Sequence, residues 1–261
     1  MIKLIACDLD GTLLLNGAQE LSPETPDLIR RLRKQGRIFV AASGRQYPNL
    51  RRLFAPVEDE IAYICENGAL VKYQGKTLFC HEVPRRLGQN ILRAIMEKKG
   101  AEALLSGTDT CYIQPKDSSY ADHMINVVKN NVTVVPDIFA TTEPYLKIAI
   151  YEKEGVENAL SYWQERFRGV ANVVTSGNVW IDVVPEGVHK GSAIRVLGQE
   201  LGISREEMLA VGDNYNDREM LDSVGSSVAM KSGQSGIRKM CRYETDLVED
   251  LLREILEGKY D

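Results

Sequence analysis

The feature that most restricts this chain is its opening, M-I-K-L-I-A-C-D-L-D-G-T over residues 1–12. An apolar run (Ile2, Leu4, Ile5, Ala6, Cys7) stops at two carboxylates, Asp8 and Asp10, and Gly11 and Thr12 follow at once. A short apolar run bounded by a turn signal reads as a strand buried on both faces, the kind found in parallel sheets. Open α/β sheets place their ligands at the carboxyl ends of such strands. Alternate residues of an extended chain point the same way, which aims Asp8 and Asp10 at one pocket. Two like charges held close need a cation or a proton to relieve them. The simpler alternative is a strand that ends in a solvated Asp-Leu-Asp-Gly turn.

The rest of the chain shows two textures. Ser22 and Pro23 open a helix whose stripe is Leu28, Ile29 and Leu32 and whose stop is Gly36. Arg37–Ala42 is a second buried strand, ending at Ser43-Gly44-Arg45, so the chain begins with one right-handed βαβ unit. Tyr47–Phe54 reads as a helix and Ile61–Cys65 as a third strand, ending at Glu66-Asn67-Gly68. Ala69–Val71 and Thr77–Phe79 then form a hairpin around Gln74-Gly75. From Pro84 the pattern changes to helices at Pro84–Lys99, Ser119–Val128 and Gly155–Phe167. Between them lie strands near Leu104 and Tyr112 and over Tyr145–Tyr151, with a hairpin of Val170–Thr175 and Val179–Val184. Strands paired as hairpins with helices between them predict an antiparallel α+β unit. After Pro185 the first texture returns: helix Lys190–Leu201, strand Glu206–Val211, helix Arg218–Ser223, strand Ser227–Met230 and helix Asp246–Leu256. The predicted fold class is therefore α/β. A Rossmann-like parallel-sheet core, residues 1–83 and 186–261, is interrupted by an α+β cap domain, residues 84–185.

Composition narrows the function. Of 261 residues, 44% are hydrophobic, enough to bury a sizeable core. The net charge of −5, without a basic run, argues against a nucleic-acid partner. Five scattered cysteines without a C-x-x-C pair suit a reducing cytoplasm. No apolar stretch approaches the roughly 20 residues of a membrane span, so no membrane partner is expected. His81, His123 and His189 lack ligand spacing, and Asn214 and Tyr215 read as loop residues.

Polar clusters end the predicted core strands: Asp8 with Asp10, Ser43 with Gly44, and Asp213 with Asn216 and Asp217, while Lys190 starts a helix. If those strands are neighbours, one cleft holds several carboxylates, a fixed cation and hydrogen-bond donors. Carboxylates with open coordination positions suit Mg²⁺, and lysine, serine and backbone N–H groups suit a phosphate. That set fits phosphoryl transfer. D-L-D-G-T at 8–12, S-G-R at 43–45, K-G at 190–191 and G-D-N-Y-N-D at 212–217 together resemble the four motifs of the haloacid dehalogenase-like hydrolase superfamily. I-C-E-N-G-A at 64–69 and P-E-G-V-H-K-G at 185–191 resemble its Cof-type branch, which carries a large α/β cap between the second and third motifs.

The resemblance implies a Mg²⁺-dependent phosphatase for a small phosphorylated metabolite, a sugar phosphate. Asp8 would be the nucleophile and Asp10 the general acid, then the base. The Asp8 and Asp213 carboxylates and the Asp10 backbone carbonyl would hold the metal. Thr12 would steady the opening loop and Asp10, and Leu9, Ser43, Gly44, Lys190 and Asn216 would meet the transferring phosphate. Arg45 would touch the substrate, and Asp217 would orient Lys190 or a metal-bound water. The cap would set specificity and would move to admit substrate and exclude water. Where the branch shows M-G-N-A, this chain has Met230-Lys231-Ser232-Gly233, and the loop Tyr243–Asp246 is abbreviated. A phosphomutase using the same aspartyl-phosphate and a non-catalytic phospho-acceptor domain are the alternatives. The acid two residues after the nucleophile and the large insertion set this chain apart from the latter.

Overall fold

Each of the four residues of β1 (Leu4–Cys7) is 0% exposed. A strand without a wet face needs helices on both sides, and the elements that follow supply them. The computed structural model describes every residue except Asp109 and Lys129. It divides into two units, one of residues 1–45, 50–79 and 189–261 and the other of residues 46–49 and 80–188. The chain thus leaves the first unit at Cys80 and returns at His189, where the sequence suggests 84 and 186.

Up to Cys80 the chain runs β1, α1 (Thr25–Lys34), β2 (Ile38–Ala42), α2 (Tyr47–Leu53), β3 (Ala62–Cys65), β4 (Leu70–Tyr73) and β5 (Lys76–Cys80). The second unit follows with α3 (Arg85–Glu97), β6 (Ala101–Ser106), β7 (Cys111–Ile113), α4 (Ser118–Asp122), β8 (Val132–Val134), β9 (Lys147–Glu152), α5 (Leu160–Arg166), β10 (Asn172–Thr175) and β11 (Trp180–Val184). The first then resumes with α6 (Lys190–Leu201), β12 (Met208–Gly212), α7 (Arg218–Asp222), β13 (Ser226–Met230), α8 (Ser235–Met240), β14 (Tyr243–Thr245) and α9 (Val248–Leu256).

The sheet of the first unit has the order β14-β13-β12-β1-β2-β3-β4-β5. It is parallel from β14 to β3, and β4 returns antiparallel to β3. Leu4, Ala6, Val40, Ala42 and Ile64 turn one face to Ile194 and Leu197 of α6 and to Met220 of α7. On α1 and α9, Thr25 Oγ1 donates to Glu249 Oε1 at 2.7 Å. The Rossmann-like core is therefore as the sequence indicates, with β1 at its centre.

Beside this, Arg37 is 4% exposed and donates to both carboxylate oxygens of Asp261, at 3.0 and 2.8 Å. The Asp261 carboxyl is held below its usual value, chiefly by those bonds. A depressed carboxyl pKa contributes stability above the unfolded-state value and loses it as pH falls through the folded value. Asp261→Asn is expected to cost about 1–3 kcal/mol of unfolding free energy at neutral pH by leaving a buried guanidinium underpaired. In denaturant titrations the difference from wild type should vanish in acid.

The second unit has a six-stranded sheet, β10-β11-β9-β6-β7-β8. Its own core joins Ile91 and Ile95 of α3, Ile148 and Ile150 of β9, and Trp163 of α5. Trp163 Nε1 donates to Glu152 Oε1 at 2.6 Å. The sheet is antiparallel as expected, save for β7 and β8, which are parallel. Several boundaries differ from the sequence reading. α1 starts at Thr25 with Glu24 before it, so Ser22 and Pro23 lie outside the helix, and Ser22 C=O accepts from Thr25 N at 3.1 Å. α5 starts at Leu160 and not at Gly155, because Gly155 takes φ +97° and closes a turn on Glu152. β12 starts at Met208, because Ser204 caps a 3₁₀ turn over Arg205–Glu207. β8, α8 and β14 are too short to show periodicity and went unpredicted. No helix among the described residues is long and apolar enough to cross a membrane.

Candidate active site

β1 and β12 are parallel neighbours with Cys7 opposite Val211, so the residues that follow them emerge side by side. Asp8 follows β1, and its N–H donates to Val211 O at 3.0 Å. Asp213 follows β12, and Asp217 ends the 3₁₀ turn Tyr215–Asp217. Lys190 is the first residue of α6. Its Nζ lies 2.6 Å from Asp8 Oδ1 and 2.7 Å from Asp217 Oδ1. One carboxylate oxygen from each of Asp8, Asp213 and Asp217 lies within 4.8 Å of the others. Residues far apart in sequence therefore meet at the carboxyl edge of the sheet, where the motifs placed them.

Lys190 and Asp217 are both 0% exposed. A buried ammonium needs paired, hydrogen-bonded carboxylates, and here one ammonium faces three. Burial pushes the Asp8 carboxyl well above its usual range; the Asp217 charge adds to this and Lys190 opposes it. Asp213 is raised as well, by burial first and then by Asp217. Burial acts to lower the Lys190 pKa, but the charges of Asp217 and Asp8 outweigh it and the net shift is upward. Both partners of one ion pair move upward because the count is uneven. Lys190 has two carboxylates to itself, whereas Asp8 shares that ammonium within a group of three acids.

The surrounding bonds fix each acid. Asp217 Oδ2 accepts from the N–H groups of Asp213 and Asn214, at 3.1 and 3.2 Å, so both of its oxygens are engaged. Thr12 Oγ1 donates to Asp213 Oδ1 at 3.0 Å. Gly11 takes φ +92°, and a Cβ there would lie 2.5 Å from Asp213 Oδ2. Only glycine admits both the backbone angle and that approach.

Asp10 does not join the cluster. β1 ends at Cys7, and Leu9 C=O accepts the N–H groups of Thr12 and Leu14, so the chain turns and the alternation argument fails beyond Asp8. Asp10 is 58% exposed at its side chain and pairs with Arg45 through both carboxylate oxygens, one contact being Nε to Oδ2 at 3.0 Å. The Leu9 side chain is buried in the core, which leaves its backbone for any ligand. Ser43 is buried after β2, and its Oγ accepts from Arg45 N at 3.1 Å, the turn-capping role that the residue type alone allows. Gly44 lies between them, and Asn216 is half-buried in the 215–217 turn.

Three contributions escaped the sequence. His189 Nδ1 accepts from Ser192 N at 3.1 Å and caps α6, while burial lowers its pKa and favours that neutral acceptor. Asn214 Oδ1 accepts from Tyr215 N and caps the turn that carries Asp217. The Asn67-Gly68 pair lies in the loop that joins the antiparallel β3 and β4, and what its sequence does not announce is that this loop holds left-handed residues beside the start of α6.

Residues 5–251 match the haloacid dehalogenase-like hydrolase family. The chain belongs to that family. It is 28% identical over 93% of its length to 90% of the 5-amino-6-(5-phospho-D-ribitylamino)uracil phosphatase YbjI of Escherichia coli. It is 28% identical over 91% of its length to 87% of an HMP-PP phosphatase of Escherichia coli. It shares its fold with a HAD/COF-like hydrolase from Plasmodium vivax, with a TM-score of 0.89, 20% identity, and coverage of 98% of this chain and 96% of that one.

Proposed function

We propose that this protein is a Mg²⁺-dependent phosphatase of a small phosphorylated metabolite, a sugar phosphate or its like, working through an aspartyl-phosphate on Asp8. It is a phosphoric monoester hydrolase. The observation that carries the reading is Lys190 Nζ held 2.6 Å from Asp8 and 2.7 Å from Asp217, with Asp213 alongside. The donor set fits a hard divalent cation: two carboxyls with raised pKa values face each other with one ammonium for three acids. Asp8, Asp213 and the Asp10 carbonyl would hold Mg²⁺, which screens the approach of an anionic nucleophile to an anionic phosphate.

Asp8 attacks phosphorus; the new bond is Asp8 Oδ–P and the broken bond is P–O of the ester. Asp10, released from Arg45, gives its proton to the departing alcohol. It then takes a proton from the water that attacks the aspartyl-phosphate, which frees Asp8 and inorganic phosphate. Lys190, Ser43, the Gly44 amide and Asn216 bind the transferring oxygens, with Leu9 contributing through its backbone. Thr12 holds Asp213, and Asp217 holds Lys190. Arg45 passes from Asp10 to the substrate. The inserted residues 84–185 set specificity, and the five free thiols fit work in the cytoplasm.

The test is phosphate release with Mg²⁺ from a panel of phosphorylated sugars, nucleotides and cofactors. The panel includes 5-amino-6-(5-phospho-D-ribitylamino)uracil and HMP-PP, the compounds that name two relatives. Turnover of at least one member is expected. A panel without any release, from folded and metal-loaded protein, rejects the reading.

A further inference from the structure

Three consecutive residues after β3 lie in the left-handed region: Glu66 at φ 50°, Asn67 at φ 54° and Gly68 at φ 106°. Glu66 and Asn67 are 1% and 3% exposed. Glycine and asparagine adopt such angles readily, but a glutamate holds φ 50° only where its surroundings fix it, and such strain gathers at functional sites. Here the surroundings are the site's own loops. Glu66 N donates to Arg45 O and Asn67 N donates to Ser43 O, each at 3.1 Å. Gly68 meets the start of α6: a Cβ there would lie 2.4 Å from His189 O and 3.1 Å from Lys190 N. One turn thus touches both the Ser43–Arg45 loop and the backbone of Lys190.

We infer that Gly68 is a positioning residue for Lys190, and that the 66–68 turn sets the Ser43–Arg45 loop and the Lys190 ammonium at a fixed spacing. The missing side chain at Gly68 lets the first turn of α6 seat low enough for Nζ to reach Asp8 and Asp217 together. A methyl group there would push against backbone, which has no rotamer with which to yield. This rests on the phosphatase reading for its consequence in turnover, but not for the placement of Lys190.

The experiment compares Gly68→Ala with Gly202→Ala. Gly202 ends the same helix at φ 65° and has nothing within 4 Å of an added Cβ, so it carries the backbone strain alone. Two readouts are taken on folded protein: kcat and KM, and acylation of Lys190 by an amine-reactive reagent, followed by mass spectrometry. Gly68→Ala is expected to expose Lys190 to the reagent and to lower kcat about 100-fold, with a melting temperature below that of Gly202→Ala because the clash adds to the same backbone strain. Gly202→Ala is expected to keep Lys190 protected and kcat unchanged. Lys190 labelling does not depend on any substrate, so it separates failure of this inference from failure of the phosphatase reading. If Gly68→Ala does not fold, Asn67→Val replaces it, since a β-branched residue disfavours φ 54° in the same turn; Asn67→Gly, which allows that angle, should restore protection and turnover. A protected Lys190 in Gly68→Ala, or in Asn67→Val, with undiminished kcat overturns the inference.

Discussion

Asp8→Asn is expected to lower turnover by about 10⁴-fold or more, while the protein stays folded. The amide keeps the shape of the side chain but cannot form the acyl phosphate, and no neighbour is placed to substitute. Asp213 is bonded to Thr12, and Asp217 spends both oxygens on Lys190 and on backbone N–H groups. Stability should move the other way. Asp8 is a buried acid whose pKa is raised by burial and by Asp217, so its charge costs the metal-free fold free energy. Asn removes that cost, and Lys190 keeps Asp217 as its partner at 2.7 Å. The variant, measured with chelator present, should melt no lower than wild type. Robust turnover by Asp8→Asn would reject the covalent route.

Exhaustive chelation should abolish activity, and Mg²⁺ should restore it. The same titration has a stability readout with a definite sign. Asp8 and Asp213 both have raised pKa values, so the metal-free folded chain binds their protons more tightly than the unfolded chain. Without a cation, stability then falls as pH rises from the ordinary carboxylate pKa toward the raised folded values. A divalent ion replaces those protons. Its stabilisation should be small near pH 4 and grow toward neutrality, to about 3 kcal/mol at a hundred times its dissociation constant. Melting curves with and without Mg²⁺ across this range check the trend. Full activity after chelation would contradict a metal-assisted site.

The parts of the site legible in the sequence were those announced by a strand ending in a polar residue. β1 is uniformly apolar because both of its faces are covered, and that made Asp8 stand out at its end. Asp213 was legible for the same reason after β12. Lys190 was not legible on its own: nothing near it in sequence signals that it is fully buried, and only the joint motifs singled it out. The Asp10–Arg45 pair joins two loops through space, and periodicity carries no information about such contacts. His189 escaped because histidine is an unusual cap, although Ser192 three residues on was a usable hint. The turn at 66–68 was only half legible, because asparagine followed by glycine announces the hairpin between β3 and β4 but neither the positive φ of Glu66 nor the approach to α6.

The central position of β1 also has a bearing on biosynthesis. Leu4 is opposite Met208, so β1 leaves the ribosome long before the strand β12 that pairs with it. In the interval the segment around residues 80–188, which encloses its own apolar cluster, is free to fold as a unit. Asp8 is thus translated long before Lys190 and Asp213, and a nascent chain that stops short of them lacks the cluster these residues form.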